Sequence, residues 1–152
     1  MFRLLARNLS SSHRVGHLHM PTNRVRIVEV GARDGLQNEK GVVPTEVKLE
    51  LIRRLASSGI NYIEATSFVS PKWVPQMGDH SEIMEALAKA NTGQTYAVLT
   101  PNKKGAENAI KKGAKEIAVF ISASEAFSKK NINCTIEESL NRSKEVMEVA
   151  QM

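Results

Sequence analysis

The chain has 152 residues, 41% of them apolar and 24% charged, the composition of an ordinary globular domain rather than a disordered or fibrous one. Its longest apolar runs, such as Ile117–Ile121, fall far short of the roughly 20 residues a spanning helix needs, so no membrane partner is expected. The net charge of +5 sits mostly at the front: of 21 Lys and Arg, four (Arg3, Arg7, Arg14 and Arg24) stand in residues 1–24, leaving 17 against 16 acidic side chains in a nearly neutral body that offers nucleic acid no basic face.

Residues 1–24 contain no Asp or Glu, carry the run Ser10, Ser11 and Ser12, and place Phe2, Leu4, Leu5 and Leu9 near one face of a short helix. That pattern predicts a mitochondrial transit peptide and a matrix location, with a basic tail that carries no address as the alternative. A secretory signal is disfavoured, because the stretch lacks an apolar core of roughly 7 to 15 residues.

From residue 25 onward, β-branched apolar runs alternate with amphipathic stretches, the pattern of βαβ units and a parallel sheet. Strands are predicted over 25–30, 60–65, 95–99 and 116–121, and helices over 44–58, 75–90, 103–112 and 135–151. In the first helix Val47, Leu51 and Leu55, with Ile52 beside them, form a stripe expected to face the sheet. Pro44 opens that helix and Gly59 closes it, while Gly113 closes the third. The single cysteine, Cys134, excludes an internal disulfide; it reads as a small residue before a capping box made by Thr135 and Glu138. The stretches 59–67 and 113–122 repeat one plan, from a helix-ending Gly through a buried strand to a polar strand end. Four such units against the eight of a complete (β/α)8 barrel, which has about 250 residues, predict an α/β fold that is half of a barrel with open outer edges.

In a parallel barrel the chemistry lies where strands end. The segment after the first strand sets Arg33 beside Asp34 between Gly31 and Gly35, so that Asp34 can hold a metal while Arg33 reaches a substrate oxygen; a surface ion pair in a glycine turn is the competing reading. Glu64 lies inside the second, apolar strand, where a carboxylate must be paired or functional, and Arg33 is its natural partner. Trp73 and Met77 read as packing residues.

The segments 28–40 (VEVGARDGLQNEK) and 64–79 (EATSFVSPKWVPQMGD) resemble the opening motifs of the hydroxymethylglutaryl-CoA lyase family, with further matches at 99–102 and 129–134. The resemblance covers residues 25–151. It implies metal-dependent retro-Claisen cleavage of 3-hydroxy-3-methylglutaryl-CoA to acetyl-CoA and acetoacetate, an acyl-CoA substrate, and a homodimer in the full-length form. Asp34 would then be a ligand of Mg²⁺ or Mn²⁺ and Arg33 the group that steadies a developing enolate. Glu64 would orient Arg33, Gln37, Lys40 and Ser67 would contact the acyl portion or the metal site, and Asn131, in the loop after the fourth strand, would touch coenzyme A. Ala32 departs from the Pro common in relatives, without removing a functional group. The family completes its metal site with a His-X-His pair and an Asn and uses a Cys in a Gly-rich loop; here three of four histidines precede residue 25, His80 fits no such motif, and Cys134 is not in such a loop. The chain by itself is therefore expected to be inactive. The alternatives are an inactive isoform, or a synthase or aldolase of the same metallolyase group.

Overall fold

A computed structural model describes residues 2–5, 25–90 and 92–151. Its elements run β1 (Phe2–Leu5), a π-helical turn (Gly31–Gly35), α1 (Thr45–Ser57), β2 (Tyr62–Ser67), a 3-10 turn (Pro75–Met77) and α2 (His80–Ala90). They continue with β3 (Thr95–Leu99), α3 (Lys103–Lys111), β4 (Glu116–Ile121), α4 (Glu125–Ile132) and α5 (Ile136–Ala150). Strands β2, β3 and β4 are parallel neighbours, and β1 adds to β4 antiparallel, so the order is β1-β4-β3-β2.

The three parallel strands carry the core on the face turned to the helices. Ile63, Ala65, Val98, Ile117 and Val119 meet Ile52 of α1, Ile83, Met84 and Leu87 of α2, Ala106 and Ala109 of α3, and Val146 and Ala150 of α5 in one apolar core. The helix termini follow the predicted punctuation. Gly59 and Gly113 take φ of 91° and 92°, a left-handed conformation that side chains resist, just beyond α1 and α3. Thr135 and Glu138 close a reciprocal capping box on α5, with the buried Cys134 just before it.

Five expectations need correction. The first predicted strand, 25–30, is reduced to one parallel bridge, Glu29 to Ile63, held by Glu29 N donating to Tyr62 O (2.9 Å) and Glu64 N donating to Glu29 O (2.8 Å). Nothing among the described residues pairs with its other edge, and Val25 and Ile27 are exposed. Most of residues 1–24 lies outside the described residues, but Phe2–Leu5 is a strand, not part of a helix: the edge of β4 offers free N–H and C=O groups that a neighbouring strand satisfies. The buried stripe of α1 is turned relative to the predicted one: Lys48 and Ile52 are buried, and Val47 is 54% exposed. Met77 packs as expected, but Trp73 is 81% exposed. Finally, the predicted loop after β4 contains α4, opened by Ser124 accepting from Phe127 N, so Asn131 lies on a helix.

Candidate active site

The site grows from the turn that follows Val30. The single carbonyl of Val30 accepts from the amides of Arg33 (3.2 Å), Asp34 (2.7 Å) and Gly35 (3.3 Å), which winds the backbone into one π-helical turn. Glu29 braces its entry by accepting from Gly31 N at 2.5 Å, and the Asn38 amide donates to Asp34 O at 2.8 Å. Gly31 suits this place, since a Cβ there would lie 2.7 Å from the Glu29 carboxylate.

The turn drives Arg33 inward to 7% exposure while Asp34 keeps a half-exposed side chain. Arg33 Nε donates to Glu64 Oε1 at 2.5 Å and its NH1 donates to Asp34 Oδ1 at 2.8 Å, so one guanidinium sits between two carboxylates. Those contacts use two of the five donors a guanidinium carries. Burial pulls the Arg33 pKa down, and the charge and hydrogen bond of Asp34 oppose the shift; a guanidinium so held stays charged across the physiological range. Glu64 is fully buried at the middle of β2. Just past it the β2–β3 register slips between Glu64 and Thr66, a bulge of the kind that re-aims side chains beside functional sites.

Arg33, Asp34 and Glu64 are thus brought together as the sequence led one to expect. The remaining candidates are not joined to them: among the described residues Gln37, Lys40, Ser67 and Asn131 make no hydrogen bond to the three. Gln37 and Lys40 are exposed on the segment that leaves the turn, and Asn131 is exposed on α4. Ser67, at the end of β2, is fully buried with its hydroxyl unpartnered among the described residues, which fits a polar ligand group at the strand ends. His80 is held locally, its Nδ1 2.7 Å from Met77 O and its ring 4.4 Å from that of Phe68. No group of three or more His, Cys, Asp or Glu side chains able to hold a metal exists among the described residues.

One polar cluster has no counterpart in the sequence reading. Lys48, 2% exposed, donates from Nζ to Gln76 O and to Asp79 Oδ1 (2.9 Å), and Thr45 Oγ1 donates to Asp79 Oδ2 at 3.0 Å. The available signal was a lysine within the apolar periodicity of α1, matched by an aspartate at the entry to α2.

Parallel βα units with a charged cluster at the carboxyl ends of the strands define a barrel-type α/β protein with its site on that face. The HMGL-like family model matches residues 24–152, and the chain belongs to that family. Hydroxymethylglutaryl-CoA lyase, mitochondrial, from Gallus gallus is 61% identical over 128 residues, which are 84% of this chain and 43% of that protein. A relative from Mus musculus named 3-hydroxy-3-methylglutaryl-CoA lyase, cytoplasmic, is 58% identical over 127 residues, 84% of this chain and 37% of that one. Among solved structures, hydroxymethylglutaryl-CoA lyase from Pseudomonas aeruginosa superposes with a TM-score of 0.78 at 53% identity, over 84% of this chain and 42% of that one. An HMG-CoA lyase from Acenitobacter baumannii in complex with coenzyme A and 3-methylmalate gives 0.75 at 38% identity, over 81% and 40%. The chain spans less than half the length of each. The α/β architecture is accordingly that of the opening units of a (β/α)8 barrel.

Proposed function

We propose that this chain supplies the Arg-Asp-Glu part of a hydroxymethylglutaryl-CoA lyase, which cleaves 3-hydroxy-3-methylglutaryl-CoA to acetyl-CoA and acetoacetate. The observation that carries the reading is the buried Arg33 guanidinium fixed between Glu64, inside β2, and Asp34, in the turn beside it. In this cleavage the C3 hydroxyl gives its proton to a base and becomes the ketone of acetoacetate as the bond between C2 and C3 breaks; the electron pair of that bond moves onto the thioester as an enolate, and a proton delivered to C2 converts the enolate to acetyl-CoA. Arg33, charged and shielded from water, stabilises that oxygen as its charge grows, an interaction stronger in the transition state than in the substrate. Glu64 fixes the plane of the guanidinium. Gln37, Lys40 and Ser67 contact the acyl portion or the metal site, and Asn131 contacts coenzyme A.

The Asp34 carboxylate, half-exposed and with only one oxygen on Arg33, is a hard donor suited to Mg²⁺ or Mn²⁺. It is one ligand, and the described residues fit a share of such a site rather than a whole one. When bound, the ion would polarise the substrate hydroxyl as a Lewis acid. The same donor count supports a second statement, that the chain by itself does not turn substrate over. The Arg-rich, acid-free residues 1–24 support a transit peptide and a matrix location, in line with the name of the Gallus gallus relative; the full-length form is proposed to be a homodimer.

The test is calorimetric titration of the chain with hydroxymethylglutaryl-CoA and Mg²⁺, with turnover followed in the same samples. Binding that Arg33→Gln weakens about tenfold or more, the equivalent of about 1.4 kcal/mol, is the expected result. Binding indifferent to Arg33→Gln, or none at all, would defeat the reading. Turnover by the chain alone would defeat the second statement only.

A further inference from the structure

The motif over 64–79 ends in two residues, Gln76 and Asp79, that the proposed chemistry does not use. Gln76 reaches across to the segment that leaves the Arg33 turn, and Asp79 reaches the first turns of α1, into which that segment runs. The Gln76 side chain, 5% exposed, accepts from Val43 N at 2.8 Å through Oε1 and donates to Gly41 O at 2.8 Å through Nε2. Using one N–H and its oxygen, the primary amide thus clips the backbone of 41–43 as a paired strand would. Beside it Lys48 Nζ is shared between Gln76 O and Asp79 Oδ1, and Thr45 Oγ1 takes the second oxygen of Asp79.

A buried lysine is a poor way to gain stability, because the cost of desolvating the charge roughly cancels its attraction to a partner, and an apolar pair of equal volume would do as well. What these bonds add is direction. Each has one geometry, and together they set where 36–44 lies relative to the loop after β2. That segment carries Gln37 and Lys40, both exposed and neither held by a hydrogen bond of its own side chain among the described residues.

We propose that Gln76, Lys48 and Asp79 are positioning residues that hold the 36–44 segment, and with it Gln37 and Lys40, in the conformation that meets the acyl-CoA. The substrate half of this statement rests on the function proposed above; the conformational half does not.

The experiment compares the full chain with Gln76→Met, which keeps length and apolar volume but removes both clip bonds, and with Lys48→Met/Asp79→Leu, which removes the ion pair without stranding either charge. Amide hydrogen exchange of peptides spanning 36–44 is read against α5 as an internal reference, alongside the affinity for hydroxymethylglutaryl-CoA. Positioning predicts exchange about tenfold or more faster in 36–44, with α5 unchanged, and a matching loss of affinity in both variants. Unchanged exchange in 36–44, or a uniform acceleration that includes α5, overturns the proposal, the latter because it would mark a purely structural role. If the double variant does not fold, Gln76→Met decides alone. Should the unaltered chain fail to bind hydroxymethylglutaryl-CoA, the function reading falls, and exchange alone decides whether the clip holds the segment.

Discussion

Removing Arg33 while leaving Glu64 should be among the most damaging single changes in the chain. Arg33→Met keeps most of the side-chain volume but takes the guanidinium from a carboxylate that is fully buried and bonded to it at 2.5 Å. Breaking a buried pair from one side costs about 3–5 kcal/mol, against a total stability on the order of 5–15 kcal/mol. Asp34 also loses its partner, but its half-exposed side chain turns to water, so that contact adds no more than about 1 kcal/mol. Arg33→Met/Glu64→Leu removes both charges and fills the space, and should return to within about 1 kcal/mol of the parent. Urea unfolding of the parent, both single variants and the double, followed by far-ultraviolet circular dichroism, completes the thermodynamic cycle; a coupling of at least about 3 kcal/mol is expected. A cost of less than about 1 kcal/mol for Arg33→Met, or a double variant as unstable as the single, would refute the reasoning, because the pair would then not be desolvated in solution. The stable double variant would also separate fold from site, since it should lack the Arg33-dependent affinity for hydroxymethylglutaryl-CoA.

Three further outcomes follow from the geometry. Gly105→Ala should lower stability by about 1–3 kcal/mol in thermal unfolding despite the better helix propensity of Ala, because its Cβ would stand 3.0 Å from the Phe68 carbonyl oxygen and 3.1 Å from Pro101 Cδ; a neutral or stabilising result would show that α3 shifts freely. Thr135→Ala removes the acceptor for Glu138 N and half of the α5 capping box, and should cost about 1 kcal/mol by the same measurement, with no change meaning that water caps the helix as well. Arg53 and Arg54 hold the Glu50 carboxyl down to about 2 by hydrogen bonds, so its carbon-13 resonance should titrate with a midpoint of about 2 and return toward the ordinary value in Arg53→Gln/Arg54→Gln. The pKa is depressed in the folded state, so the contribution of this exposed cluster is present above the ordinary carboxylate range and lost as pH falls through about 2; a midpoint unmoved by the double substitution would refute the assigned cause.

Sequence by itself determined the elements whose causes are local. The spacing of apolar residues placed α3, α5, β3 and β4 within a residue or two of their observed ends. Gly59 and Gly113 marked helix ends because glycine takes left-handed backbone at little cost, and Thr135 with Glu138 marked a start because the cap closes within one turn. The meeting of Arg33 with Glu64 was also legible, since a carboxylate inside an apolar strand calls for a cation and the strand ends of a barrel bring them into reach. Tertiary structure alone decided matters that depend on what lies across a gap. Residues 25–30 have the residues of a strand, but only Glu29 pairs with β2, since a ladder needs a partner as well as a propensity. Phe2–Leu5 became a strand because β4 presented an unpaired edge, a property of the sheet and not of those four residues. Lys48 took the place on α1 that periodicity assigned to Val47, because Gln76 and Asp79, some thirty residues further on, offered its charge two oxygens; a helical period describes a wheel and does not say which spoke points inward.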